Sequence, residues 1–584
     1  MPGGVAIVIG GRRGPRVRRY LLPTAVVLAI VIAALVVTNF LFQRATAYDV
    51  PSGKRPAFEL RAGERALELG PSRAARRFGL WVLHLGGDEH GVGWARGRLL
   101  ARIAGPDELV VRRAVALSAT GWLGRTWESL ARRWHTRGLP EGLADDYARE
   151  LAGLARGLRE GGAGGGPGEP GPPSYRDLVY EQVAFERGAQ PVGSREADPR
   201  AAHRLSRSSF AFAGRGASDG GHTWVGASLR LGNASAAIDP VVEFVRLDGA
   251  LPYAAVTWPA QLGALAGINQ AGIVVAVVPA RSRQGAPGGT GEPVAGLARS
   301  VLAHAATLAE AQAILRTRKP LSTASFLIAS GREGDAVVVE RTPRRLATRR
   351  ADAAGGVWAA GHFVAPEFES DGDNDRMRRY GGTGARHQRL GELVSERRGV
   401  LDAGRALEIL RDRRLPTGAG AAELPLGHPG ALLSASARPV LFDASALVMW
   451  VGEGPGALGP LRAFDVRHEL AGPGEATGGA APPPDLPADA LLDAPAWRDL
   501  QVADAALADA VRLARARKRR LAVEALRRVV AFAPRLPGPR KLLGDLLRAQ
   551  GAGDAARAEY QTYLDLAPPF LDEVEEVQAY LGKM

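Results

Sequence analysis

The sequence contains no cysteine, and only five of its 75 basic residues are lysine. The absence of cysteine removes disulfides, thiolate metal sites and a cysteine nucleophile together. It leaves the compartment open, because a large domain does not need disulfides to be stable. The scarcity of lysine means that the net charge of +14 is carried almost wholly by arginine, dispersed among Ala, Gly and Pro. Such dispersion reads as a compositional bias and not as a binding patch. No basic run interleaved with aromatics occurs outside the extreme N-terminus, so no nucleic-acid partner is expected. The ten histidines include no pair with the His-Glu-x-x-His spacing of a metal site. "GGAGGGPGEPGPP", residues 161–173, lacks the Gly-Lys-Ser/Thr ending of a phosphate-binding loop and reads as a flexible insertion. "DGDND", Asp371 to Asp375, is followed by Arg376 and Gly382 where a calcium-binding EF-hand needs Gly and Glu, so it reads as a solvated loop. No cofactor and no metal is expected.

What is present belongs to an ordinary globular chain: 46% apolar and 23% charged residues. At 584 residues the chain is too long for one core and should hold two or three folded units. "YLLPTAVVLAIVIAALVVTNFLF", residues 20–42, carries no charge and follows Arg12, Arg13, Arg16, Arg18 and Arg19. Its length matches a helix crossing a hydrocarbon core of about 30 Å, and the arginines would stay cytoplasmic. Residues 1–45 are therefore expected to be a basic stub and a single-pass anchor, with the rest of the chain extracytoplasmic. Ala45-Thr46-Ala47 resembles a signal cleavage site, but the apolar run is longer than a signal peptide's usual 7–15 residues.

Residues 46–77 form a mixed connector. A mostly helical texture runs from Phe78 to about Leu158. From Ser209 to Val278 short β-type runs replace it, among them "SFAFAG", "HTWVGASLRL", "VVEFVRL" and "GIVVAVV". Helices and further strand pairs alternate up to "LRAFDV". Many strands in sequence with helices between them imply an α+β domain with layered sheets. A Pro/Gly/Ala linker covers 471–495. In residues 496–584 "AVEALRRVVAFAP" and "AARAEYQTYLDLAP" end 34 residues apart, at Pro534 and Pro568. A helix–turn–helix period of that length is the tetratricopeptide pattern, and a protein or peptide partner is expected there.

The middle of the chain resembles the acyl-CoA:6-aminopenicillanate acyltransferase-like family of N-terminal-nucleophile hydrolases. The blocks that carry the resemblance are "LHLGGDEHGVGWARGRLL", with Gly91, Gly93 and Gly97 punctuating a helix start, "LPEGLADDYARELAGLARGL", "LAGINQAGIVVAVV", "SFLIASGREGDAVVVERTP", "GHFVAPEF" and "LLSASARPVLFDASALVMWVGEG". Their shared order implies an αββα-layered domain over residues 78–470. The family resemblance also implies a precursor that cuts itself before a cysteine in a pattern like Gly-Cys-Ser/Thr-Ser/Thr-Phe-Ala. The freed residue is then the nucleophile and its own α-amine the base.

Laid without a gap on "LSRSSFAFAG", the pattern puts Arg207 at the nucleophile. A guanidinium stays protonated and offers only donors. Shifting by one residue makes Ser208 the nucleophile, at the expense of turning the side chain to the other face of the strand. Where the family's next strand reads Gly-Arg-Asn-x-Asp, this chain has Ala227, Ser228 and Arg230 at the polar positions, and Gly361 replaces the Asn of an Asn-His-Phe block. Asn269 is the expected oxyanion donor, and His362 is as readily structural as catalytic. Two readings follow. One is an anchored acyltransferase or amide hydrolase using Ser208, acting on an acyl-amide, acyl-thioester or peptide-like small molecule. The other is an inactive relative serving as a binding scaffold through its helical tail.

Overall fold

The computed structural model describes residues 30–582 apart from 31–32, 35, 55, 64–65, 105–121, 163–171, 188–207, 230–238, 260, 285–289, 417–422, 429–436 and 472–482. Two units separate. The first comprises residues 1–49 with 118–137. In it the Phe42 ring stacks on Trp134 of the Trp122–His135 helix at 6.3 Å, and the Tyr48 hydroxyl donates to the Thr136 carbonyl at 2.7 Å.

The expected transmembrane helix over 20–42 falls in this unit and is corrected. Residues 20–29 lie outside the described residues, and among the described ones no helix is long and apolar enough to cross a membrane. The single-pass topology and the extracytoplasmic placement built on that helix fall with it.

The second unit, 50–117 with 138–584, is built on two sheets. One has eleven strands, running in sheet order through Arg61–Ala62, Ala66–Leu69, Ser72–Arg77, Leu80–Gly87, Val241–Leu247, Tyr253–Thr257, Ala266–Asn269, Ile273–Pro279, Ala324–Ser330, Asp335–Arg341 and Leu346–Arg350. The other has six: Gly356–Ala359, Ser208–Phe212, Trp224–Leu229, Arg438–Asp443, Val448–Gly452 and Leu461–Asp465. All pairings are antiparallel except Leu80–Gly87 with Val241–Leu247, whose long connection contains helices. The α+β class expected from sequence is corrected on this point as well. The chain is mixed α/β, with large sheets and many helices.

Strand alternation assigns the faces. Ala211, Val225, Ala227, Val440 and Phe442 from the smaller sheet meet Phe244, Val274, Ala276, Leu327 and Val338 from the larger in one buried cluster between the sheets. On the smaller sheet's outer face, Phe210, Phe212, Leu441 and Trp450 pack with Leu390, Leu393, Leu407 and Leu410 of the Thr383–Glu396 and Ala403–Arg411 helices.

Asp88 caps the Glu89–Ile103 helix by accepting from the Gly91 amide at 2.6 Å. Gly93 and Gly97 lie inside that helix, where their role is close packing on the Asp145–Glu160 helix. A Cβ at Gly93 would stand 1.9 Å from the Glu150 carbonyl oxygen, and one at Gly157 would stand 2.1 Å from that of Trp94. Backbone cannot rotate away as a side chain can. Gly93→Ala or Gly157→Ala is therefore expected to destabilise the domain by about 1–3 kcal/mol, read as a lower urea midpoint. An unchanged midpoint would refute the close approach.

The tail contains five helices, Pro495–Arg515, Arg519–Phe532, Pro537–Arg548, Gly553–Asp565 and Leu571–Leu581. They share a core of Ala510, Leu526, Val529, Leu543, Tyr560 and Tyr563. A second cluster, Leu426, Leu458, Leu500 and Leu536, joins the tail to the sheet domain.

Candidate active site

Ser208 opens the Ser208–Phe212 strand, paired across to Ser228, while Ser209 pairs to Ala227 on one side and Ala359 on the other. The Ser208 amide donates to the Ser228 Oγ at 3.1 Å, and that hydroxyl lies 3.5 Å from the Ser208 carbonyl oxygen. Ser208 is 5% exposed and Ser209 1%, and neither hydroxyl has a hydrogen-bond partner among the described residues. Buried polar atoms normally find partners, so an unpartnered hydroxyl calls for an explanation. Alternation separates the two serines. Phe210 and Phe212 point to the outer, helix-covered face and Ala211 to the space between the sheets, so Ser208 shares the outer face and Ser209 the inner one. Arg207 and Arg230 lie outside the described residues.

The Thr383–Glu396 helix covers the outer face where the Gly356–Ala359 strand ends. Its His387 carbonyl accepts from Trp358 Nε1 at 3.0 Å, and the His387 ring lies 5.5 Å from Trp358 and 5.3 Å from His362. Arg386, 2% exposed, belongs to the same turn. Gly361 has φ +93°, and a Cβ there would meet Thr383 at 3.3 Å. The backbone thus accounts for glycine at the position where the family block has asparagine.

The residues after Gly361 are pinned from two sides. Glu340, fully buried, accepts from the Val364 and Ala365 amides at 2.9 Å and from Arg349 Nε at 2.8 Å. Asn374 accepts from the Phe363 amide at 2.7 Å and donates to its carbonyl at 2.9 Å. The "DGDND" stretch is a helix start and not a solvated loop: Asp371 accepts from the Asp373 and Asn374 amides and caps Gly372–Tyr380.

Asn269 is placed differently from its expected role. Both Nδ2 hydrogens are engaged, to the Leu302 carbonyl at 2.9 Å and the Ala305 carbonyl at 2.7 Å. Its Oδ1 accepts from the Ala271 and Ile273 amides at 3.1 and 3.0 Å. An amide whose two donors are used has none left for an oxyanion, so Asn269 is corrected from oxyanion donor to brace of a turn.

Burial pushes the His362 imidazole down to about 3, with His387, Arg386, Arg378 and Arg349 adding to the effect. Burial, helped by Arg349, pushes His387 down to about 4. Both rings stay neutral at pH 7 in the folded chain. As pH falls below the ordinary value of 6.5, the unfolded chain takes up protons that the folded one refuses, so stability is lost on acidification. Between pH 6.5 and 5 this amounts to about 2 kcal/mol per histidine at most. Urea midpoints measured over that window should fall with pH in the wild type and flatten in His362→Asn/His387→Gln. Parallel slopes in the two proteins would refute the assignment.

Sequence reading missed His387, Arg386 and the Glu340–Arg349 clamp, because no motif spacing marks them. It also missed a buried ionic network under the larger sheet. There Arg96 contacts Glu243 at 2.5 Å, and Arg299 contacts Asp146 at 2.8 Å and Glu150 at 2.6 Å.

Residues 248–417 match the family model of acyl-coenzyme A:6-aminopenicillanic acid acyl-transferase. Over that segment the chain is similar to this acyltransferase family. Among solved structures it is similar to the N-acylethanolamine-hydrolyzing acid amidase ortholog of Caenorhabditis elegans, at 16% identity over 41% of this chain and 93% of that one, with a TM-score of 0.27. It is also similar to a variant of conjugated bile acid hydrolase from Clostridium perfringens, at 11% identity over 46% of this chain and 90% of that one, with a TM-score of 0.26. No curated protein matches. The comparisons do not bear out tetratricopeptide repeats in the tail.

Proposed function

We propose that the sheet domain transfers or hydrolyses an acyl group at an amide or thioester, using Ser208 as an N-terminal nucleophile released by a cut after Arg207. The observation that carries this reading is the state of Ser208: first residue of its strand, amide held by the Ser228 hydroxyl, own hydroxyl buried without a partner among the described residues. Ser208 Oγ would attack the Arg207 carbonyl carbon, forming an ester as the Arg207–Ser208 C–N bond breaks and the nitrogen takes the hydroxyl proton. Water then hydrolyses the ester, leaving a carboxylate on Arg207 and a free amine beside the Ser208 hydroxyl. In turnover that amine takes the hydroxyl proton as Oγ attacks the substrate carbonyl, and returns it to the leaving amine or thiol. The likeness of residues 248–417 to an acyltransferase family model supports the same class of substrate.

The opposing reading, a fold retained without chemistry, has its own observation. Strand parity directs Ser208 away from the space between the sheets, toward which Ser209 points. The two readings part on one assay. Wild type should release product from a panel of N-acyl amino acids, acyl amides and acyl thioesters, and an inert wild type would sink the catalytic reading.

A further inference from the structure

The turn joining the Pro495–Arg515 and Arg519–Phe532 helices concentrates positive charge as no other described segment of the tail does. Arg515, Arg517, Lys518, Arg519 and Arg520 are all exposed, as are Arg527 and Arg528 on the helix that follows. None of the seven forms an ion pair among the described residues. Some arginines of the chain meet carboxylates, among them Arg299 with Asp146 at 2.8 Å, Arg389 with Asp412 at 2.9 Å and Arg438 with Asp239 at 2.8 Å, whereas exposed ones without such a pair, such as Arg332, Arg498 and Arg557, stand far apart from one another in the sequence. The compositional bias toward arginine therefore explains how many there are but not why seven exposed basic residues gather here.

Arg519 and Arg520 also do nothing for the helix they begin. The first turn of Arg519–Phe532 contains no acidic residue and no side-chain cap, although negative charge is what that end of a helix favours. Arg517 adopts φ +58°, the left-handed conformation in which glycine is the usual residue after a helix. Hydrogen bonds from the Arg517 amide to the Ala514 carbonyl at 3.0 Å and from the Lys518 amide to the Leu513 carbonyl at 2.9 Å fix the turn. Local preference is overridden at several consecutive positions, a pattern expected where a segment serves a function other than folding.

We infer that this basic turn, residues 515–520 with Arg527 and Arg528, is a docking surface for an acidic segment of a partner protein. A polypeptide is favoured over nucleic acid because successive bases stack on several rings, and residues 512–528 contain none, with Phe532 the one exposed ring beside them. It is favoured over a lipid surface because the adjoining exposed large apolar side chains are only two, Leu521 and Phe532, each at 42% exposure, which suits the apolar side chains of a peptide. The surface is independent of the catalytic reading.

The test uses the purified full chain and the fluorescence anisotropy of a labelled peptide of glutamates interspersed with leucine, at low and high salt. Oligothymidylate and phosphatidylserine vesicles are measured in parallel. The peptide should bind more tightly than either, and salt should weaken it. Arg519→Glu/Arg520→Glu should lower its affinity roughly tenfold or more, and Arg519→Lys/Arg520→Lys should preserve it. Arg527→Glu/Arg528→Glu, away from the turn, gives the same readout if the first variant fails to fold. Three results would overturn the inference: no peptide binding by wild type, an affinity indifferent to both charge reversals, or tighter binding to oligothymidylate or vesicles.

Discussion

Ser208→Ala is expected to leave the chain in one piece and to abolish turnover of any acyl substrate that the wild type consumes. The reason is chemical: alanine offers no nucleophile, either for the shift that opens the Arg207–Ser208 bond or for the acyl-enzyme. Ser209→Ala is expected to keep both activities nearly intact, because on a strand its side chain points to the opposite face. Ser228→Ala should have an intermediate effect. It removes the hydroxyl that holds the Ser208 nitrogen at 3.1 Å, so cleavage should slow while the nucleophile survives. Intact mass and product release, measured on the three variants together, separate the roles. The reverse pattern, with Ser209→Ala dead and Ser208→Ala active, would place the chemistry between the sheets and remove Ser208 from it.

Asn269→Ala is expected to act on stability far more than on rate. The side chain makes four hydrogen bonds and is fully buried. Its loss leaves two carbonyls at the end of the Val294–His304 helix and two amides of the 269–273 turn without partners. Each unsatisfied buried group costs about 1–3 kcal/mol. Allowing for relaxation, the total should be about 3–5 kcal/mol, enough to lower the urea midpoint clearly. A variant as stable as wild type but a hundredfold slower would restore Asn269 to the reaction and contradict the geometry.

The contrast between these residues shows what can be read from one dimension. The strands from Ser209 to Val278 were legible because apolar residues alternate between turn-forming ones, and that signal survives in the sheet order. Ser228 was visible only as a departure from a family pattern; its bond to Ser208 depends on strand register, which sequence alone does not supply. Asn269 was legible as a marked position and illegible as to role, since its partners Leu302 and Ala305 belong to a helix some thirty residues on. Gly93 and Gly157 carry their meaning jointly, through the approach of two helices. The apolar run from Tyr20 to Phe42 misled, because hydropathy reports what a segment could bury, and among the described residues no helix is long and apolar enough to cross a membrane. The basic turn at 515–520 was hidden by the arginine content of the whole chain, and the clustering of exposed basic residues is what sets it apart.

The central claim is tested most directly by the intact mass of the purified wild-type chain under denaturing conditions. The account predicts two fragments whose boundary lies between Arg207 and Ser208, the second beginning with a free Ser208 amine. A single unbroken chain would contradict it.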